Sequence, residues 1–458
     1  MSYAGRNVVV LGLGLTGFSL ARHLAARGAS VRVADTRAAP PFAAQLAAAL
    51  PGVPLATGPF TTATFAGADL VAISPGVAKA EPAIAAAVAH GVELVGDIEL
   101  FARALPPGQK VLAITGSNGK TTVTALTGAL CRAAGLATAV AGNIGDAVLD
   151  ALPPDRRWPD VFVLELSSFQ LETTSSLAPV AATVLNVTEN HLDRYVGMDD
   201  YAAAKARIFA NGGIQVLNRD DPRSLAMRIP GSLVQTFGAG VPETEEAWGL
   251  VARGGDRGDV WLARGGALIV PAADLSLVGR HNALNALAAL ALTSAVAKID
   301  RAVQVALTRF EGLPHRMQRI AEAGGVLYVN DSKGTTVAAT HVALDGLARP
   351  VVLIAGGDGK GQDFAALKPA VDAHYRAVLL IGRDAPAIER ALAGTPAAIE
   401  RCGTLGAAVA RAVAVARAGD AVVLSPACAS LDQFASYVER GDAFVREVRS
   451  RVEAAAHA

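Results

Sequence analysis

Among 458 residues there are only three cysteines, Cys131, Cys402 and Cys428, and no C-x-x-C pair. That scarcity excludes a disulfide framework and a cysteine zinc site, and it suits a reducing cytoplasm. Charge excess is also missing, since 41 basic residues balance 41 acidic ones. With no basic tail or Lys/Arg run, nucleic acid and anionic membranes are poor candidates for the main partner. No stretch of about eighteen consecutive apolar residues occurs, so no membrane span is expected. The N-terminal apolar run 8–13 has only Arg6 before it and is broken by Gly12 and Gly14. It reads as a buried strand rather than a signal peptide.

What is present is alternation. Apolar β-type runs and helical stretches follow each other almost throughout, which argues for α/β domains with mainly parallel sheets. The length suggests about three domains. The expected boundaries are 1–96, 97–312 and 313–458, with a turn at Pro106-Pro-Gly108 and a hinge at Gly312-Leu-Pro314. Strands are expected at 7–11, 31–34 and 70–73 in the first block. The second should hold 111–114, 161–166 and 181–185, and the third 325–329, 351–355, 377–381 and 421–424. Residues 239–275 look different. Short apolar runs separated by Gly254-Gly255 and Gly265-Gly266 suggest a small antiparallel insertion.

The most informative stretch is Ala113-Ile-Thr-Gly-Ser-Asn-Gly-Lys-Thr-Thr122. A strand, a glycine loop and a helix-compatible run (123–134) make a phosphate cradle. Glycines let backbone N–H groups turn toward an anion, and the helix N-terminus adds positive potential. Lys120 suits the outer phosphates of ATP, and the Thr121 hydroxyl suits Mg²⁺. The loop is shorter than the general phosphate-loop pattern: Gly116 stands three residues before Gly119, and Ile114 occupies the first glycine's place.

An earlier loop, Gly12-Leu-Gly-Leu-Thr-Gly17, also follows a strand, and Asp35 ends the next one. Alone, it matches a dinucleotide fingerprint and an NAD enzyme. A Rossmann-like unit can hold other nucleotides with the same geometry, or the glycines can simply permit tight packing. A second phosphate loop about a hundred residues on favours an ATP-using enzyme with a nucleotide-sugar pocket in front.

Glu165 ends the apolar strand in Asp160-Val-Phe-Val-Leu-Glu165, where a carboxylate can hold magnesium. Asn186-Val-Thr-Glu-Asn-His-Leu-Asp193 follows the next strand and groups Glu189, His191 and Asp193 as possible metal ligands. Magnesium prefers oxygen, so a lone histidine ligand is unusual. Lys205 lies in a helical segment, and nothing in its sequence setting singles it out. In the third block, polar loops follow strands at Asn330-Asp-Ser-Lys-Gly-Thr-Thr336, Gly356-Gly-Asp-Gly-Lys-Gly-Gln-Asp363 and Ser425-Pro-Ala-Cys-Ala-Ser-Leu-Asp-Gln-Phe434. Open α/β sheets bind ligands there. The last loop is expected to lead into a helix whose N-terminus receives a carboxylate.

Taken in order, several motifs resemble the Mur ligases. They are Gly116-Ser-Asn-Gly-Lys-Thr121, Leu164-Glu-Leu-Ser-Ser-Phe-Gln-Leu-Glu172, His281-Asn-Ala-Leu-Asn285, Leu313-Pro-His-Arg316, Asn330-Asp-Ser-Lys333 and Leu424-Ser-Pro-Ala-Cys-Ala-Ser-Leu-Asp-Gln-Phe434. The match spans nearly the whole chain, and its first and last loops favour the D-glutamate-adding branch. The resemblance implies three domains: a Rossmann-like N-terminal domain, a central ATPase domain of phosphate-loop type with a mainly parallel sheet, and a C-terminal Rossmann-like domain. It implies ATP-dependent addition of D-glutamate to UDP-N-acetylmuramoyl-L-alanine, through an acyl phosphate, by a cytoplasmic monomer.

The resemblance also implies site roles. Leu15, Thr16, Asp35, Thr36 and Arg37 would bind the UDP part. Gly116, Ser117, Asn118, Gly119, Lys120, Thr121 and Thr122 would hold the phosphates of ATP. Asn282 and Asn285 would approach adenine, and Arg316, Asp331 and Lys333 the nucleotide. Thr121 and Glu165 would serve one Mg²⁺, and His191 with a carbamylated Lys205 a second. Asn143 would sit near the metal and the reacting groups. Lys360, Ser430 and Leu431 would frame D-glutamate. Five positions depart from the family pattern: Asn190, Gly334, Thr336, Gly361 and Tyr437. Competing readings are an NAD oxidoreductase, a folylpolyglutamate synthase and a non-catalytic ATP-binding regulator. The N-terminal UDP-type block argues against the second, and intact Lys120, Glu165, His191 and Lys205 against the third.

Overall fold

The computed structural model describes residues 2–190, 194–253, 259–277, 279–345, 347 and 349–456. Continuous apolar runs become strands buried on both faces, as parallel sheets covered by helices require. Among the described residues they form three sheets. The first holds β1 (Asn7–Leu11), β2 (Ser30–Asp35), β3 (Leu55–Thr57), β4 (Leu70–Ile73) and β5 (Glu93–Gly96). Its order is β3-β2-β1-β4-β5, and all pairs are parallel. The order reverses at β1, so the crevice beyond its carboxyl end is the natural ligand site.

The second sheet contains β6 (Lys110–Thr115), β7 (Thr138–Gly142), β8 (Val161–Glu165), β9 (Ala181–Val184), β10 (Ile214–Asn218), β11 (Val234–Phe237), β12 (Ala247–Arg253), β13 (Asp259–Arg264) and β14 (Ala267–Pro271). Its order is β14-β13-β12-β11-β10-β9-β6-β8-β7. The stretch expected as a small antiparallel insertion holds its strands where expected, and these extend the edge of this sheet. β12 pairs parallel with β11 and antiparallel with β13. The short apolar runs and the turns between them were visible in the sequence; the pairing of Thr236 and Phe237 with Ala247 and Trp248, which joins them to the main sheet, was not. Gly254-Gly255 lies outside the described residues.

The third sheet has β15 (Gln318–Ala323), β16 (Val326–Asn330), β17 (Val351–Gly356), β18 (Tyr375–Ile381), β19 (Ala398–Gly403) and β20 (Ala421–Leu424). Its order is β15-β16-β20-β17-β18-β19, with antiparallel pairing only between β15 and β16. By compactness the chain divides into two units, Met1–Val270 with Asn285–Leu307, and Pro271–Leu284 with Thr308–Ala458. The first two sheets belong to the first unit. No described helix is long and apolar enough to cross a membrane.

Within the first unit, one apolar cluster runs through both sheets, from Val8 and Leu20 to Phe101, Phe162 and Tyr201. The polar side of that junction is the helix Asp97–Ala104, directly after β5. Glu99 accepts the backbone N–H groups of Ser175 at 2.7 Å and Ser176 at 2.8 Å, and Arg103 Nε at 2.8 Å. Arg194 reaches the carbonyls of Pro75 at 2.8 Å and Val77 at 3.1 Å. Asp97 is 2% exposed and accepts Gln170 Nε2 at 2.9 Å, while its other oxygen is buried without a partner.

Burial pushes the Asp97 carboxyl up to about 6. The folded state therefore prefers the protonated acid, and this group's contribution is lost as pH rises from about 4 through 6. Asp97→Asn keeps an acceptor for Gln170 without the charge. Its denaturation midpoint should exceed that of the wild type at pH 8, by on the order of 1 kcal/mol, and the gap should close toward pH 4. A gap that is the same at both pH values would contradict this reading.

Candidate active site

The phosphate loop leaves β6, which lies between β9 and β8 in the sheet. Residues after those two strands therefore flank it. Gly116 has φ +154° and Gly119 φ +82°, and a Cβ on Gly119 would stand 2.7 Å from Asn285 Oδ1. Glycine is required there both for the turn and for this close approach. Asn186 clamps the loop from the β9 side. Its Oδ1 accepts the N–H groups of Ser117 at 3.1 Å and Asn118 at 2.8 Å, and its carbonyl accepts the Ser117 N–H at 2.9 Å. Ser117 Oγ donates to the Thr188 carbonyl at 3.0 Å. Lys120 and Thr121 begin the helix Lys120–Ala133.

On the other side, Glu165 ends β8 and is 2% exposed. Asn143, just after β7, donates its side-chain amide to Glu165 Oε1 at 2.8 Å and its backbone N–H to the Glu165 carbonyl at 2.8 Å. Glu165 Oε2 is buried without a hydrogen-bond partner. A buried, unpartnered carboxylate oxygen next to a phosphate loop with a buried Thr121 hydroxyl fits a hard divalent cation such as Mg²⁺. No trio of His, Cys, Asp and Glu gathers among the described residues. His191 and Asp193 lie outside the described residues.

Lys205, unremarked by sequence physics, is the most unusual side chain of the site. It sits in the helix Met198–Ala206 and is 1% exposed. Its ammonium donates to the Gly116 carbonyl at 2.9 Å and lies 4.4 Å from the Tyr201 ring centroid. Lys120 Nζ donates to the same carbonyl at 2.9 Å and to the Ser117 carbonyl at 2.9 Å. Burial first, and the Lys120 charge second, push the Lys205 amine down to about 6. A lysine in that state is largely a neutral nucleophile at pH 7.

The N-terminal glycine loop is built tightly: a Cβ on Gly17 would stand 1.7 Å from the Gly12 carbonyl. Asp35 is 2% exposed and spent on its surroundings. It accepts the Leu13 N–H at 2.6 Å and the Arg37 Nη2 and Nε at 2.6 and 2.9 Å. The hydrogen bonds from Arg37 chiefly hold its pKa down to about 2. In the dinucleotide fingerprint the acid faces the ribose; here it supports the loop from beneath, while Leu15, Thr36 and Arg37 are exposed.

In the second unit, β16, β20 and β17 are neighbours, and their carboxyl ends bring three polar loops together. Asp331 is buried and accepts Ser425 Oγ at 2.7 Å and the Met317 N–H at 3.2 Å. Burial pushes it up to about 7. Lys333 Nζ lies 5.2 Å from the Tyr437 ring. Lys360 is exposed at φ +50°, with its N–H on Asp358 Oδ1 at 3.1 Å. Asp358 and Ala429 exchange backbone bonds at 2.9 and 2.8 Å, joining the β17 and β20 loops. Ser430 is buried and Leu431 is 64% exposed.

The loop after β20, through Phe434, leads into a helix as expected, with a turn on the way. Residues 431–433 form a turn, and the helix starts at Tyr437. Ser430 and Leu431 therefore lie at the turn, ahead of the helix N-terminus. Of the departures, Gly334 has a local reason: a Cβ there would stand 2.5 Å from Asp331 Oδ2 and 2.7 Å from Ser425 Oγ. Thr336 caps the Ala339 N–H at 3.2 Å, and Gly361 has φ +75°. Arg316 is half-buried just past Gly312, and Asn282 is buried near the start of the helix Arg280–Ser294. Sequence reading missed Asn186, Asp97 and Gln170 as organising residues. Only the position of Asn186, directly after an apolar strand and opposite a glycine loop, offered a signal.

Three family models match successive parts of the chain: the Mur ligase MurD-like N-terminal domain over residues 6–96, the Mur ligase middle domain over 114–293, and the Mur ligase glutamate ligase domain over 315–428. The chain is 54% identical to the UDP-N-acetylmuramoylalanine–D-glutamate ligase of Thiobacillus denitrificans, over 98% of this chain and 97% of that one. It is 53% identical to the enzyme of the same name from Chromobacterium violaceum, over 98% of both. Among solved structures it resembles the UDP-N-acetylmuramate–alanine ligase of Thermotoga maritima, with a TM-score of 0.56 and 20% identity over 97% of this chain and 100% of that one. It also resembles MurF of Acinetobacter baumannii, at TM-score 0.56 and 16% identity over 98% and 92%. At such identities the structural likeness speaks to the fold alone.

Lys205 gives the site a thermodynamic signature. Its amine is more basic unfolded, near 10.5, than folded, near 6. Between those values the unfolded state binds more protons, so stability should rise with pH. From pH 7 to 9.5, in CO₂-free buffer, the gain should be on the order of 2 kcal/mol. Lys205→Met should flatten that rise. Parallel stability curves for the two proteins would contradict the depressed pKa.

Proposed function

The chain belongs to the Mur ligase family, and from that premise we infer that it is the ATP-dependent ligase joining D-glutamate to UDP-N-acetylmuramoyl-L-alanine in peptidoglycan precursor synthesis. The observation that carries the reading is full-length identity above one half to ligases of that name. The site supports it, with a phosphate loop and a buried lysine meeting at one carbonyl.

The chemistry follows from the poor electrophilicity of a carboxylate. A carboxylate oxygen of the L-alanyl group attacks the γ-phosphorus of ATP, and ADP leaves. The resulting acyl phosphate has a good leaving group. The D-glutamate amine attacks its carbonyl carbon, phosphate departs from the tetrahedral intermediate, and the amine loses a proton to leave the amide. Several anions must meet for this. Lys120 and the N–H groups of Lys120, Thr121 and Thr122 at the start of the helix Lys120–Ala133 offset their repulsion, so catalysis is mainly positioning and electrostatics. Two Mg²⁺ ions, when bound, add positive charge beside the phosphates. Thr121 and Glu165 would hold one, with Asn143 fixing the Glu165 carboxylate. His191 and Lys205 would hold the other, after the Lys205 amine adds CO₂ and releases a proton to become a carbamate. Its burial and lowered pKa support that conversion.

For the remaining residues we assign the UDP part to Leu15, Thr16, Thr36 and Arg37, with Asp35 shaping their loop. Asn282 and Asn285 would serve adenine, and Arg316, Asp331 and Lys333 the nucleotide. Lys360, Ser430 and Leu431 would frame D-glutamate. The domains would run 1–96, 97–312 and 313–458, one sheet in each, in a monomer acting in the cytoplasm. The buried, fully bonded state of Asp35 disfavours an NAD enzyme.

Phosphate release should require ATP, Mg²⁺, UDP-N-acetylmuramoyl-L-alanine and D-glutamate together. Release with another amino acid but not with D-glutamate would overturn the substrate assignment. Lys205→Ala should be inactive and partly rescued by added short carboxylates such as formate. An Ala variant with full activity would refute the carbamate role.

A further inference from the structure

The helix Tyr437–Ala456 carries a side chain that the mechanism above does not use. Arg440 is 1% exposed, among the largest fully buried side chains of the protein. Its Nε donates to Ser332 Oγ at 3.1 Å. Its Nη2 donates to the carbonyls of Ser332 at 2.9 Å and Cys428 at 3.0 Å. Its Nη1 is buried with no partner among the described residues, and it would lie 3.3 Å from a Cβ placed on Gly357. The guanidinium thus lies against the loops after β16, β20 and β17 together. Burial lowers its pKa to about 10, so it remains charged at neutral pH.

Among the described residues no carboxylate hydrogen-bonds to this cation, and the Asp432 charge acts on it only from a distance. The nearby acids serve the loops instead. Asp432 accepts the Arg383 N–H at 2.9 Å, Asp384 accepts the Gly359 N–H at 2.7 Å, and Asp358 pairs with the Arg383 side chain at 2.5 Å. A buried charge without a counter-ion is costly, and an anion delivered nearby offsets that cost. The loops it underlies carry Lys360, Ser430 and Leu431. Ser332 Oγ also donates to the Tyr437 carbonyl at 2.7 Å, closing the lattice around the guanidinium.

We propose that Arg440 is a positioning residue of the amino-acid subsite: it holds the Ser332 and Cys428 carbonyls from beneath, and its charge favours a dicarboxylate amino acid over a neutral one. The inference rests on the assignment of those loops to D-glutamate. It adds a buried selectivity element to side chains that would touch the substrate.

Steady-state kinetics on the full chain tests it with Arg440→Gln, Arg440→Lys and Ser332→Ala, each checked for an unchanged melting temperature. Losing charge and fork together, Arg440→Gln should raise KM for D-glutamate by about tenfold or more, while KM for UDP-N-acetylmuramoyl-L-alanine moves less than about threefold. Its preference for D-glutamate over the neutral D-glutamine should fall. Arg440→Lys should keep that preference with a smaller rise in KM. If Arg440→Gln does not fold, Ser332→Ala decides: it keeps the charge and drops two bonds of the Ser332 hydroxyl, one from Arg440 and one to the Tyr437 carbonyl, so KM for D-glutamate should rise by a few-fold with the preference intact. An unmoved KM for D-glutamate in both Arg440→Lys and Ser332→Ala overturns the proposal. So does a uniform loss, in which every KM, kcat and the melting temperature change together. Wild-type protein that never uses D-glutamate would instead fail the functional reading itself.

Discussion

Two lysine ammonium groups donate to one backbone carbonyl, that of Gly116, and the architecture of the central site depends on that crowding. Placing like charges together in a buried site is unfavourable, and the protein answers in two ways. Lys205 gives up its proton readily, and Lys120 stands half-buried at the start of the helix after the loop. The loop cannot relax away, because Asn186 binds its N–H groups from the β9 side and Gly119 leaves no room beside Asn285. Glu165, with one oxygen fixed by Asn143 and the other unpartnered, supplies a negative group on the opposite flank. A rigid cradle with lysines on one side and an unpartnered carboxylate oxygen on the other suits phosphates and a hard cation arriving together.

The second unit repeats the logic with different parts. Its loops are held by their own acids, with Asp384 on Gly359 and Asp432 on Arg383. Its buried cation, Arg440, with no hydrogen-bonded carboxylate among the described residues, is placed under the loops instead of among them. In both units the chain satisfies its backbone internally and leaves charge for the ligand, which is how preorganised electrostatic sites work.

Much of this was legible in the sequence for physical reasons. A strand, a glycine loop and a helix start are local patterns, so the β6 loop and the strands at 7–11, 70–73 and 421–424 could be read directly. Glu165 was readable because a strand-end acid beside a phosphate loop has few other uses. Short or weakly apolar strands were missed: Leu55–Thr57, Thr138–Gly142 and Ala398–Gly403 have intermediate or exposed residues and depend on neighbours for their pairing. The burial of Lys205 was invisible because a lysine on a short helix looks solvated until the sheet beneath it is known. The turn at 431–433 and the joining of 247–271 to the edge of the second sheet went unread because both are settled by contacts far away in sequence.

The account holds that the cradle activates a carboxylate by phosphorylating it, and oxygen transfer tests that step directly. UDP-N-acetylmuramoyl-L-alanine labelled with oxygen-18 in its carboxylate should, on turnover with ATP and D-glutamate, yield inorganic phosphate carrying one labelled oxygen per molecule. Mass spectrometry of the released phosphate reads this. Amide formation with unlabelled phosphate would contradict the acyl phosphate and the role given to the site.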